Sequence, residues 1–236
     1  MPSGSPLNPS PPPAAARALN NPARSLQVIV WGGLVAIIVG IAVAFVRSKN
    51  LSSENSAPLP PVISQVADFA LTNQNNLPVT LANLRGKVWV ADIIFTRCPG
   101  PCARMTRQLR ELQTALPATS RAQLVSLTTD AEFDTPPVLQ KYATHFEANS
   151  TNWQFLTGNP RAVAALAIDS LKLTALEKPA AERTSPEDLF IHSTIFVIVD
   201  KQAQLRGVFE TGGDDVDWNI SKANILALIA QLEAAP

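Results

Sequence analysis

The 236-residue chain has only two cysteines, two histidines, two methionines and one tyrosine. Cys98 and Cys102 are the whole thiol complement, which excludes a disulfide-built scaffold and a four-cysteine zinc site, whose pairs come twice. Acidic side chains are missing from the first 50 positions, where Arg17, Arg24, Arg47 and Lys49 supply four basic ones. That leaves 15 basic against 19 acidic residues from Leu51 onward, with no basic stripe suited to a phosphate backbone, so nucleic-acid binding is set aside. No internal repeat is visible.

What is present is concentrated. Leu26 to Val46 holds 21 residues without a charge and with Gln27 as its one strongly polar member. At about 1.5 Å per residue that length matches a bilayer core, so the run predicts a transmembrane anchor over 26–46. A cleaved signal peptide is the rival, because Ala42-Val43-Ala44 resembles a small-residue cleavage site. The run exceeds a usual h-region, however, and a tail precedes it. Basic residues flank both ends and leave the orientation open. Residues 1–25, with Pro11–Pro13, bury too little apolar surface to fold and read as a disordered tail. Those prolines also spoil the amphipathic helix of a mitochondrial transit peptide, which favours a bacterial chain. Residues 47–61 read as a linker, and the folded domain as 62–236.

Within that domain strands alternate with helices. Val66–Leu71 and Pro78–Leu81 flank an Asn-rich turn, which predicts a hairpin. Val88–Phe95 is apolar on both faces, as a covered strand should be. Met105, Leu109, Leu112 and Leu116 recur at helical spacing after Cys102. Leu124–Thr128 is a further buried strand; Asp134-Thr135-Pro136 has the look of a capped helix start. A short strand at Trp153–Leu156, a helix opened by Asn159-Pro160, a charged surface loop over 177–188, a hairpin of Ser193–Val199 with Gln204–Phe209, and a helix over 221–232 complete the order. The pattern is mixed α/β and fits a thioredoxin-like architecture.

Cys98-Pro99-Gly100-Pro101-Cys102 falls where a buried strand hands over to a helix. Exposed backbone N–H groups and the positive helix end favour thiolate there. The spacing sets both sulfurs on one side of the first turn, close enough for a disulfide or for one soft metal ion. A disulfide closing so short a loop would contribute little stability, which argues for a working pair rather than a structural one. Two thiolates are one ligand short of a trigonal Cu(I) site, and imidazole suits copper. His145 lies late in a helix, where a surface role is the default. His192 opens the strand at Ser193–Val199, beside the sheet end. A thiol peroxidase would need an activating arginine, and nothing singles out Arg97 or Arg104.

The string Phe95-Thr96-Arg97-Cys98-Pro99-Gly100-Pro101-Cys102-Ala103-Arg104-Met105-Thr106 resembles the signature of the Sco/SenC family. So do Leu81–Lys87, Ser126–Asp130 continuing to Asp134–Pro136, Trp153–Gly158 and His192-Ser193, in the family's order along the domain. Ala103 and Ala131 depart from it, standing where many members have proline. The resemblance implies a thioredoxin-like domain on an N-terminal helix, facing the bacterial periplasm or, less in keeping with the tail, the mitochondrial intermembrane space. It implies a copper ion, Cu(I) or Cu(II), held by Cys98, Cys102 and His192. Asp130 matches a recurrent family acid near the site, carried over as a weak ligand or a support for the others. The implied role is metallochaperone to the dinuclear copper centre of cytochrome c oxidase. Its partners would be the copper-receiving oxidase subunit and other copper chaperones. Thiol–disulfide reduction of that subunit is the alternative.

Overall fold

The structure, a computed structural model, describes residues 22–54, 58–183, 185, 189–213 and 215–236; within these, the side chains of 22–26, 28, 29, 46–54, 175 and 192 lie outside the description. The expected disordered tail thus falls, up to residue 21, outside the described residues. The chain divides into two compact units, Met1–Ala57 and Pro58–Pro236.

In the first unit α1 (Pro22–Glu54) is one helix of 33 residues, extending on both sides of the apolar run into positions read above as tail and linker. Among the described residues no helix is long and apolar enough to cross a membrane. Val30, Trp31, Ile37, Ile41 and Phe45 of α1 are all exposed.

The second unit is a mixed sheet covered on both faces. Its strands are β1 (Ser64–Gln65), β2 (Ala70–Asn73), β3 (Pro78–Thr80), β4 (Trp89–Ile94), β5 (Gln123–Thr128), β6 (Trp153–Thr157), β9 (Ile195–Val199) and β10 (Gln204–Glu210); β7 (Ala175–Glu177) and β8 (Phe190–His192) form a separate ribbon. Strand order is β1-β10-β9-β4-β5-β6-β2-β3. Parallel pairing joins β4 to β5 and β5 to β6. A single turn, α2 (Leu81–Leu84), precedes β4, and the crossovers between the parallel strands carry α3 (Cys102–Ala115) and α4 (Pro136–His145). The antiparallel β9–β10 hairpin adds on the other side of β4. This is the expected thioredoxin-like α/β arrangement, extended by the β2–β3 hairpin at one edge. Asn73 builds that hairpin's turn, its side-chain oxygen accepting from the backbone N–H groups of Asn75 and Leu77.

Pleating divides β4 between two cores. Trp89, Ala91 and Ile93 face one side, with Leu166, Ala167 and Leu171 from the turn that continues α5 (Pro160–Ala164) and from its end. Val90 and Ile94 face the other, with Met105, Leu109 and Leu112 of α3 and Ile225 and Ile229 of α6 (Trp218–Ala234). Cys102 belongs to this second core. The carboxylate of Glu111 on α3 ties the two helices, accepting from Trp218 Nε1 at 2.8 Å and Lys222 Nζ at 2.9 Å. Those hydrogen bonds, Lys222's first, hold its carboxyl below the ordinary value. The stabilisation is therefore present above the unfolded carboxylate's pKa and is lost as pH falls through the lower folded one. Glu111→Gln should cost less than about 1 kcal/mol at pH 7, since the pair is largely solvated. The gap to wild type should close below about pH 4 in urea unfolding.

Two expectations are corrected here. The stretch read as a surface loop over 177–188 begins with the end of β7 and includes a short 3-10 turn, Ala180–Glu182; residues 184 and 186–188 of it lie outside the described residues. Asp134 does not cap α4, whose N-cap is Thr135 with no side-chain bond. Its carboxylate points into the protein instead.

Candidate metal and thiol site

The loop after β4 runs Phe95 to Pro101, and Cys102 is the first residue of α3. Cys98 N–H donates to Phe95 O at 3.2 Å, and Gly100 N–H points at Cys98 Sγ at 3.4 Å. The loop thus folds its own backbone around the first sulfur. Pro101 presets the turn and its carbonyl accepts from Met105, opening the helix. Cys98 is half-buried, whereas Cys102 is only 1 % exposed. Both are thiols, and a side-chain hydrogen bond links them.

Burial pushes the Cys102 thiol far above the ordinary cysteine value, with the hydrogen bond and charge of Cys98 adding to the rise and a backbone bond at Phe95 opposing it. The expected pull of the helix terminus toward thiolate is outweighed there, because desolvation of a sulfur at the floor of a core exceeds the terminal dipole. Asp92, fully buried on β4, adds a like-charge contribution. Tyr142 of α4 is raised as well, mainly by burial, and its hydroxyl meets Thr106 Oγ1 at 2.9 Å, one turn above Cys102.

Asp130 engages the loop from the β5 side. Its carboxylate takes Arg97 Nη2 at 2.6 Å, and the same guanidinium covers the Phe133 ring at 3.9 Å. The acid thus braces the residue before Cys98. Four residues on, Asp134 is completely buried and accepts from Thr96 N–H, Thr96 Oγ1 and Thr128 Oγ1. It staples the start of the cysteine loop to the end of β5. Sequence reasoning placed Asp134, Thr96 and Thr128 only in motif strings or a helix start and gave them no role at the site, although the polar run Thr128-Thr129-Asp130 after an apolar strand is a signal that the strand end carries work.

His192 closes β8, opposite Ala175, and its side chain lies outside the described residues. The strand itself is fixed against the loop: the Phe190 ring meets Phe95 edge-on at 5.3 Å. β9 begins only at Ile195, so His192 ends one strand rather than directly opening the next. His145 stands on the surface beside Phe146, with ring centroids 4.9 Å apart, as its helical position suggested. Among the described residues no group of three His, Cys, Asp or Glu side chains could hold a metal ion. The two linked sulfurs nevertheless fit a soft ion, being polarizable donors already on one side of a helical turn.

Residues 61–223 match the SCO1/SenC family model. The chain belongs to the SCO1/SenC family. A curated relative, the SCO1 protein homolog of Bacillus subtilis (strain 168), is 33% identical over 172 residues, covering 70% of this chain and 86% of that protein. Among solved Sco structures, BsSco, described as having a disulfide switch and as a member of the Sco family of cytochrome c oxidase assembly proteins, is 27% identical with a TM-score of 0.59, over 73% of this chain and 98% of its own. Bradyrhizobium japonicum ScoI, solved with copper bound, has a TM-score of 0.58 at 21% identity over 70% of this chain and 99% of its own, a likeness of fold. A further relative, a putative copper-binding protein of Stutzerimonas stutzeri, is 29% identical over 191 residues, covering 80% of this chain and 87% of that protein.

Proposed function

We propose that this Sco-family protein is a copper metallochaperone. It takes one copper ion, as Cu(I) or Cu(II), on Cys98, Cys102 and His192 and hands it on during assembly of the dinuclear centre of cytochrome c oxidase. The observation that carries the reading is the linked sulfur pair at the start of α3, with the strand that ends in His192 packed through Phe190 on Phe95, where the cysteine loop begins. Ligand exchange with a partner's thiolates moves the ion without a change in its charge, so the partners are the copper-receiving oxidase subunit and other copper chaperones. Asp130 contributes by steadying Arg97 beside Cys98.

The uncharged run 26–46 inside α1 is read as the membrane anchor, with the second unit in the bacterial periplasm. Large apolar side chains exposed along its described stretch, Val30 to Phe45, support that reading, since water is a poor solvent for them.

Titration of the reduced full-length protein with Cu(I) under anaerobic conditions should saturate at one equivalent. His192→Ala should weaken binding about 10- to 100-fold, since both sulfurs remain. Binding displaces the Cys102 proton, so affinity should fall as pH is lowered. Saturation at no defined stoichiometry, or indifference to His192→Ala, would sink the three-ligand reading.

A second reading has its own support, in the two thiols hydrogen-bonded to each other and the disulfide switch described for BsSco. The half-buried Cys98 attacks a target disulfide, Cys102 resolves the mixed disulfide, and two electrons and two protons pass to the target's sulfurs. Turnover on a disulfide substrate that survives His192→Ala and needs no copper would favour it.

A further inference from the structure

We infer that Thr211 is a positioning residue for His192: it fastens the chain just beyond that histidine to the helix that carries Cys102. The inference rests on the three-ligand copper reading and adds to it a residue with no metal-binding chemistry of its own.

Thr211 is 2 % exposed and sits where β10 has ended. Its N–H donates to Thr194 O at 2.9 Å and its hydroxyl donates to the same oxygen at 2.7 Å. Its own carbonyl accepts from Gln108 Nε2 at 2.8 Å. Gln108 lies on α3, six positions after Cys102, and is 6 % exposed; its Oε1 has no hydrogen-bond partner among the described residues. A buried amide with a single bond is an unfavourable choice in a core unless that bond fixes something. What it fixes is the peptide at Thr211, and through it Thr194.

The neighbouring contacts reinforce the same link. The Arg104 guanidinium, on the first turn of α3, lies so close over Gly212 that a Cβ there would fall 1.9 Å from Nη2. On the far side, Ser193 N–H donates to Thr174 O at 3.1 Å, and Thr174 N–H donates to Ser193 Oγ at 3.2 Å. The two residues between β8 and β9 are therefore held from both flanks. One flank leads to the β7–β8 ribbon, the other through Thr211 to α3. Two donors on one carbonyl define its position more narrowly than one, and the hydroxyl is the donor that a substitution can remove. With it in place, the distance between His192 and the cysteine helix is set by a chain of three residues, Thr194, Thr211 and Gln108.

The test compares Cu(I) affinity of the full-length reduced protein, by competition with a chromophoric chelator, for Thr211→Val and Thr211→Ser. Each is made in the wild-type and His192→Ala backgrounds. Thr211→Val should weaken binding roughly 10-fold, and Thr211→Ser should restore it. In the His192→Ala background Thr211→Val should have no further effect, because a positioning residue acts only through the group it positions. Gln108→Met cuts the other end of the link and should give the same His192-dependent loss, which keeps the test decisive if Thr211→Val fails to fold. Unchanged affinity, or an equal loss in both backgrounds, overturns the inference alone. Indifference of the wild type to His192→Ala overturns the copper reading and the inference with it.

Discussion

Cys102→Ser should cost the protein its copper, with Cu(I) affinity falling by more than about 100-fold. The exchange keeps the shape of the side chain and removes the soft donor; a serine hydroxyl is neither ionised at neutral pH nor a good partner for Cu(I). The remaining pair, Cys98 with His192, cannot complete a trigonal shell. The fold should survive, because Cys102 lies among Phe95, Met105 and Leu109 in a core whose other members are unchanged. Anaerobic competition titration reads the affinity, and thermal unfolding provides the control. The contrast with His192→Ala carries the meaning: loss of a sulfur should be the larger defect. Full retention of one equivalent by Cys102→Ser would mean that copper binds elsewhere.

Asp134→Ala should be the most destabilising single change near the site, at about 3–5 kcal/mol. Its carboxylate gathers Thr96 N–H, Thr96 Oγ1 and Thr128 Oγ1 in a place closed to water. Truncation leaves one buried donor, on Thr128, and two part-buried ones, on Thr96, without their acceptor, and against a typical domain stability of roughly 5–15 kcal/mol that is a large fraction. Asp134→Asn isolates the charge. Burial raises the Asp134 carboxyl above the ordinary carboxylate value, outweighing the hydrogen bonds from Thr128 and Thr96 that oppose the rise. A folded pKa above the unfolded one means that the native state holds its proton longer. The wild type should therefore lose stability relative to Asp134→Asn as pH rises through that window, and the difference should be flat above it. Urea unfolding at a series of pH values measures this, and a difference that grows in the opposite direction would show that the hydrogen bonds outweigh burial.

Much of the site was legible because its cues are local. The strand-to-helix junction at Cys98–Cys102 follows from an apolar run, two prolines and a helical repeat, all between Val88 and Leu116. The β2–β3 and β9–β10 hairpins announce themselves by turn residues. The β7–β8 ribbon does not, since each strand has three residues and the pairing of Ala175 with His192 spans a charged, proline-containing segment. Asp134 was misread for a related reason. Asp-Thr-Pro is a good helix-start pattern, and its real partners, Thr96 and Thr128, converge only when β4 and β5 pair in parallel. The Cys102 thiol shows the same limit from the side of electrostatics: position on a helix suggests one direction of shift, and the depth of the core decides the other.

The two residues of β1 have a consequence beyond their size. Ser64 and Gln65 pair with Leu205 and Gln204, and Ser64 Oγ and Gln65 Nε2 add bonds to the carbonyls of Ser170 and Ala203. They cover part of the outer margin of β10, a seven-residue strand that would otherwise offer its N–H and C=O groups to any passing chain. A protein trimmed beyond Gln65 would keep every candidate ligand and both cores, yet it would present a sticky sheet margin. Its colloidal behaviour, more than its copper chemistry, would record the loss.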